Sequence, residues 1–189
     1  MRFKVVCVGD GSVGKTCMLM TYLKNEFPVN YIPTIVENFT TDIEVNSVTY
    51  TLSIWDTAGQ EELDKIRDCT YPGTDVVLLC YSIINITSFK NITEKWVPEI
   101  RGKLPQVPII IVGLKTDLRN DLQTLENLRQ LNQEPITALQ GDQIAKETKS
   151  YCYVECSAKK RENLSEIFEQ AVNSVKAQKN SKKKKCLIL

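Results

Sequence analysis

Eight consecutive residues, Gly9-Asp10-Gly11-Ser12-Val13-Gly14-Lys15-Thr16, fit the pattern GxxxxGK[ST]. Glycines there let the backbone fold tightly enough for successive N–H groups to face phosphate oxygens, and the positive end of a following helix adds to the attraction. Lys15 can set its ammonium on the β- and γ-phosphates of a nucleotide, and the Thr16 hydroxyl can hold Mg²⁺. Three further segments carry chemistry that suits a bound nucleotide. In Trp55-Asp56-Thr57-Ala58-Gly59-Gln60-Glu61, Asp56 can hold Mg²⁺ through water, Gly59 can offer its N–H to a γ-phosphate, and Gln60 can orient a water for in-line attack. In Lys115-Thr116-Asp117 the carboxylate can accept both N–H groups of guanine's Watson–Crick edge, where adenine would present an acceptor and be repelled. Cys156-Ser157-Ala158-Lys159 supplies backbone N–H groups near the guanine oxygen.

These groups can act together if strands deliver them to one edge of a sheet. Apolar, β-rich runs at Phe3 to Val8, Phe39 to Val45, Tyr50 to Trp55, Val76 to Ser82, Ile109 to Val112 and Tyr151 to Val154 read as six strands. Helical spacing runs from Lys15 to Lys24, through Phe89, Ile92, Trp96 and Ile100, and through Leu164, Ile167, Phe168, Ala171, Val172 and Val175. The alternation predicts an α/β fold, a doubly wound and mostly parallel six-stranded sheet with helices on both faces. Each chemical segment then falls at the carboxyl end of a strand, where open sheets of this kind bind ligands. Asn46-Ser47 predicts one antiparallel hairpin, and Pro98 should kink or split its helix. Leucines at 122, 125, 128 and 131 occupy a stretch too long for an ordinary connection, which predicts an extra surface helix over about 122–134.

Composition narrows the chemistry further. With 189 residues, 42% of them hydrophobic, the chain can build one core, which we place over residues 1–175. It has no histidine, so Ser-His-Asp and Cys-His catalysis and imidazole metal sites are excluded. Seven cysteines form no CxxC pair and lie mostly in apolar runs, the usage of a reducing compartment. The apolar residues before Gly9 are too few for a signal-peptide h-region, and no run approaches the length of a membrane span. A net charge of +1 gives no reason to expect a nucleic-acid partner, and a monomer is expected.

On GDGSVGKT, Phe27 with Tyr31-Ile32-Pro33-Thr34, Trp55 with DTAGQE, Tyr71-Pro72, Lys95-Trp96-Val97-Pro98-Glu99 and the segment after Asp117-Leu118-Arg119, the chain resembles the Rho/Rac family of small GTPases, within the Ras superfamily. The resemblance implies a P-loop GTPase fold in which 122–134 is the family's insert helix. It implies that GTP and GDP are bound with Mg²⁺ and that GTP is hydrolysed slowly, faster with GTPase-activating proteins. Gln60, Lys15 and Thr34 would be the catalytic residues, with Thr16, Thr34 and, through water, Asp56 at the metal. Nucleotide contacts would come from Gly11, Ser12, Val13, Gly14, Lys15, Thr16, Cys17, Phe27, Tyr31, Thr34, Gly59, Lys115, Asp117, Leu118, Ser157, Ala158 and Lys159. Exchange factors, dissociation inhibitors and effectors, commonly acting on the actin cytoskeleton, are implied as partners. A scaffold that binds without hydrolysis and a P-loop kinase of small metabolites are rival readings. Gln60 and Gly11 speak against the first, and the lack of length for an acceptor region and an arginine-bearing lid speaks against the second.

Two positions depart from the family pattern. Leu114 replaces the Asn or Thr that ties the base loop to the phosphate loop, so faster unassisted GDP release is expected; Leu63 stands where the family has tyrosine. Beyond Val175 the chain turns polar, and 176–189 reads as a flexible polybasic tail. It carries Lys182-Lys183-Lys184-Lys185 before Cys186-Leu187-Ile188-Leu189, a CaaX pattern whose final leucine favours geranylgeranylation of Cys186. Lipid and lysines together predict residence on the cytoplasmic face of the plasma membrane or another membrane, with an extractable cytosolic pool.

Overall fold

The strand Val76–Ser82 is buried at all seven positions, as a strand covered on both faces must be. In the computed structural model, which describes residues 1–28 and 34–186 with side chains as far as 181, it lies at the heart of a six-stranded sheet. The strands are β1 (Arg2–Val8), β2 (Val36–Val45), β3 (Val48–Thr57), β4 (Val76–Ser82), β5 (Ile109–Leu114) and β6 (Cys152–Glu155). Their spatial order is β2-β3-β1-β4-β5-β6, with the β2–β3 pair antiparallel and the others parallel. Asn46 and Ser47, with φ of 52° and 58°, make the β2–β3 turn, the left-handed pair that matches strand twist in a tight hairpin.

The helices are α1 (Lys15–Lys24), α2 (Asp64–Asp68), α3 (Ile86–Asn91), α4 (Val97–Lys103), α5 (Leu122–Gln130), α6 (Ala138–Glu147) and α7 (Leu164–Cys186). Alternate residues of each central strand feed two cores. Val5 and Cys7 of β1 join Met18 and Leu19 of α1 and Phe168, Ala171 and Val172 of α7 on one face. Val6 and Val8 join Trp96, Ile100 and Ile144 on the other. Each Val, Leu, Ile, Met or Phe side chain among them contributes roughly 1.5–3 kcal/mol when fully buried. Tyr22 of α1 stacks on Phe168 with centroids 4.0 Å apart, locking the first and last helices together.

Four details differ from what the sequence pattern suggests. Pro98 does divide its helix, but through a π-helical turn at Ile92–Trp96 that joins α3 to α4 and leaves Pro98 in the first turn of α4, where its missing N–H does no harm. α5 stops at Gln130 rather than near 134. Asn132 takes φ 52°, and the bonds from Gln133 N to Leu128 O and Asn132 N to Arg129 O, both 2.9 Å, close a Schellman cap. α6 has no counterpart among the predicted helices. Finally, α7 runs through the expected flexible tail as far as Cys186. Residues 164–186 contain neither glycine nor proline and are rich in good helix formers. The added turns are seated: Lys176 lies over the Tyr50 ring at 5.6 Å and Lys179 over Phe3 at 4.5 Å, while Gln178 donates to the Gln106 carbonyl.

Candidate active site

β1 ends at Val8 and the chain turns at once, because Gly9 takes φ 140° and a Cβ there would stand 2.0 Å from the Cys80 carbonyl oxygen. Gly14, with φ 113°, caps α1 and has no side chain to satisfy the first-turn amides, which leaves those donors for an anion. Lys15 is 6% exposed and folds back over the loop, its Nζ donating to the carbonyls of Gly9 and Asp10 at 2.7 and 2.8 Å. Burial lowers its pKa, against neighbours that include Asp56.

β3, paired with β1, delivers Asp56 beside this loop. Thr16 Oγ1 donates to Asp56 Oδ2 at 2.6 Å and lies 2.7 Å from Thr34 Oγ1, which itself reaches Asp56 Oδ2 at 3.4 Å. Two hydroxyls and a carboxylate from three distant segments thus meet at one point. Asp56 is 0% exposed, yet its Oδ1 finds no partner among the described residues. An orphaned buried carboxylate oxygen flanked by hydroxyls suits a hard cation that keeps several of its own waters, as Mg²⁺ does. Burial raises the Asp56 carboxyl's pKa, a shift opposed by the Thr16 bond and by Lys15. Among the described residues no cluster of three or more His, Cys, Asp or Glu could form an all-protein metal cage, and Mg²⁺ beside phosphates needs none.

Gly59 packs directly on the phosphate loop. A Cβ on it would lie 2.3 Å from Gly9 O and 2.4 Å from Gly11 N. A small cleft is lined by Gly11, Ser12, Gly14, Lys15, Thr16 and Thr34 from one side and Ala58, Gly59 and Gln60 from the other. The segments are also tied by backbone, since Ala58 N donates to Ile35 O at 3.1 Å. Gln60 is exposed and free to meet what enters.

Alongside lies a larger cavity of about 310 Å³, lined by Cys17, Phe27, Leu114, Lys115, Asp117 and Leu118, with Gly14, Ala158 and Lys159 completing it. Its size suits a purine with its sugar. Lys115, in the left-handed region at φ 66°, sends Nζ to Ser12 O at 2.9 Å and so joins the base loop to the phosphate loop. Asp117 Oδ1 accepts from Ser157 Oγ at 2.7 Å, and Lys160 N donates to that same hydroxyl oxygen at 3.0 Å. The Ser157 side chain therefore aims the carboxylate, a role that its place in the motif does not reveal. Cys17 borders the cavity, and burial raises its pKa, so it sits there as a thiol.

Of the predicted nucleotide contacts, the structure gathers all but three into these adjoining spaces; Ser157 is fully buried and lines neither, bonding Asp117 instead. Val13 points into the core at 1% exposure, leaving its backbone to the loop, and Tyr31 lies outside the described residues. The side chains of Lys182 to Cys186, and all of Leu187 to Leu189, are likewise outside them. Leu63, at the end of the single turn Glu61–Leu63, is half-buried. Compared with known protein families, residues 4–177 match the one described as the Ras family.

Proposed function

Starting from this chain's membership of the Ras family, whose small GTPases bind and hydrolyse GTP, we propose that it is a Rho-type, membrane-anchored switch that signals while GTP is bound and stops after slow hydrolysis to GDP. The observation that carries the guanine reading is Asp117, held by Ser157 at the mouth of an apolar cavity that opens beside Gly14 of the phosphate loop. A carboxylate fixed there accepts guanine's two N–H donors and repels adenine.

The chain's own residues divide the hydrolysis among them. Loop amides and Lys15 hold the phosphates and take up the charge that develops on the transferring group. Gln60 orients the attacking water, and Gly59 presents its N–H to the γ-phosphate. Thr16, Thr34 and, through water, Asp56 would hold Mg²⁺, which neutralises phosphate charge when bound. None of the described side chains around the cleft is a strong base, which suits a reaction governed by positioning and electrostatics. When the γ-phosphate leaves, Thr34 and Gly59 lose their shared ligand, and the segments from Thr34 to Phe39 and Gly59 to Tyr71 become free to change, which is the readout of the switch.

The Rho-type assignment is supported by α5, inserted after Asp117-Leu118-Arg119, and by the Lys95-Trp96-Val97-Pro98-Glu99 and Tyr71-Pro72 segments. Its partners are then exchange factors, GTPase-activating proteins, dissociation inhibitors and effectors acting on actin. The Cys186 CaaX pattern beside four lysines supports a geranylgeranyl anchor on the cytoplasmic face of a membrane. Nucleotide released from the purified protein should be GDP or GTP by mass spectrometry, and the protein should turn over GTP, not ATP, in a single-turnover assay. Adenine nucleotide in that extract, or equal use of ATP, contradicts the reading.

A further inference from the structure

Arg67 follows the catalytic segment in α2 and is 1% exposed. A cation so deeply buried is tolerated when its donors are satisfied. Nε and Nη2 grip the two oxygens of Glu99 at 3.0 and 3.1 Å, Nη2 also reaches Asp64 at 2.6 Å, and Nη1 donates to the Ala58 carbonyl at 3.0 Å. Tyr71 adds its hydroxyl to Glu99 Oε1 at 2.6 Å. The guanidinium lies 4.8 Å from the centre of the Trp96 ring. That same indole donates from Nε1 to Asp10 Oδ1 at 2.7 Å, and Asn91 Nδ2 donates to Asp10 Oδ2, also at 2.7 Å. One short stretch, Asn91 to Glu99, therefore grips the phosphate loop through Asp10 and the backbone before Gly59 through Arg67.

The π-helical turn at Ile92–Trp96 explains how one stretch does both. In an α-helix, residues five apart point about 140° away from each other. A turn closed by i to i+5 bonds brings them toward one side, which is how Asn91 and Trp96 converge on a single carboxylate. None of these residues lines the cavities that would receive the nucleotide apart from Ala58.

We propose that Arg67 and Trp96 are positioning residues for hydrolysis: seated on Asn91 to Glu99, they hold the Ala58-Gly59-Gln60 backbone and the phosphate loop in one register, so that Gln60 meets the γ-phosphate. This rests on the reading that the chain hydrolyses GTP. Arg67→Lys keeps a positive charge and loses the fork; Trp96→Phe keeps an aromatic ring, smaller than the indole, and loses the N–H donated to Asp10. In single-turnover assays of the full chain loaded with GTP, each should slow hydrolysis about tenfold or more. The double variant should be little slower than the worse single one, as residues acting as a unit are. GDP dissociation should change far less than hydrolysis, within about threefold, whereas Trp96→Phe should lower the melting temperature of the GDP form by the cavity it leaves in the core. The ³¹P resonance of the γ-phosphate in a bound non-hydrolysable GTP analogue should shift or broaden while the α and β resonances stay in place. Trp96→Phe carries the test where Arg67→Lys lowers the yield of folded protein. Hydrolysis within twofold of the parent protein in either folded variant, or a loss matched by an equal loss of GDP retention, overturns the proposal. Failure of the parent protein itself to convert GTP to GDP instead overturns the reading beneath it, and shows before any variant is compared.

Discussion

Leu114 is 2% exposed at the end of β5, and its Cδ1 lies 3.7 Å from where a Cβ on Gly14 would stand. A leucine fills that space but offers no donor or acceptor to the phosphate loop. The two loops are still joined by Lys115 to Ser12, and Ser157 ties Asp117 to the segment after β6, so the base loop stays attached with one polar tie fewer than asparagine could give. Leu114→Asn should slow unassisted GDP release several-fold, since one neutral hydrogen bond contributes about 1 kcal/mol; release of a fluorescent GDP at an unchanged rate removes Leu114 from the account. Gln60 is the complementary case. Exposed in the cleft and without a role in the core, it can be removed with little cost to folding. Gln60→Ala should leave GTP binding intact and lower single-turnover hydrolysis by roughly 100-fold, the scale of a lost positioning or oxyanion group. A rate near that of the parent protein would mean that another group orients the water.

At the scale of elements, the base loop is held by a link to β6. Arg119 donates to both oxygens of Glu155 at 2.7 and 2.6 Å and to the Ile136 carbonyl at 3.1 Å, and Tyr153 adds its hydroxyl to Glu155 at 2.6 Å. Burial alone pushes the Glu155 carboxyl up, but Arg119 and Tyr153 outweigh it and leave the pKa below its ordinary 4.5. The folded state thus favours the ionised carboxylate. Its contribution is complete above about pH 4.5 and disappears as pH falls through the lower folded value. Glu155→Gln should lower the urea midpoint at pH 7 by the equivalent of about 1–2 kcal/mol and flatten the acid limb below pH 4.5. A difference between the two proteins that stays constant from pH 7 to pH 3 contradicts this.

The same scale shows why some elements were legible and others were not. α1 announces itself twice, by the phosphate-loop motif before it and by its apolar spacing, and its observed bounds, Lys15–Lys24, are those the pattern gives. α6 hides, because Ile144, Ala145 and Gly141 are its buried residues and a glycine in mid-helix reads as a breaker. Gly141 is there for space: a Cβ would come within 2.1 Å of the Tyr153 ring. The usable cue was Thr137 with Gln140 three residues on, a capping box in which each side chain bonds the other's backbone. The candidate site was more legible than the frame around it, since phosphate and base contacts are local motifs. Arg67 with Glu99, and Trp96 with Asp10, become a unit through tertiary packing alone, at separations of 32 and 86 residues between the bonded pairs.

For the whole molecule, a net charge of +1 conceals the four consecutive lysines at 182–185. Each lysine close to an anionic leaflet contributes about 1 kcal/mol, added to the burial of a prenyl chain. Cys186→Ser should move the protein from the membrane fraction to the cytosol in cells. For the prenylated protein, binding to vesicles containing anionic lipid should weaken as salt is raised, because lysine attraction is screened. A Cys186→Ser protein that remained with membranes would refute the anchor.

The final helix has a mechanical consequence. At about 1.5 Å per residue, its 23 residues make a rod on the order of 35 Å long. Its first turns lie in the core with Phe168, and Phe3 and Tyr50 engage Lys179 and Lys176 farther along. If Cys186 carries the proposed lipid, a body hung from it on such a shaft would behave as a weathervane rather than a balloon on a string. Pitch and yaw would then be confined, and visitors drifting in the bilayer plane would encounter a restricted set of aspects, so capture would depend on the direction of approach.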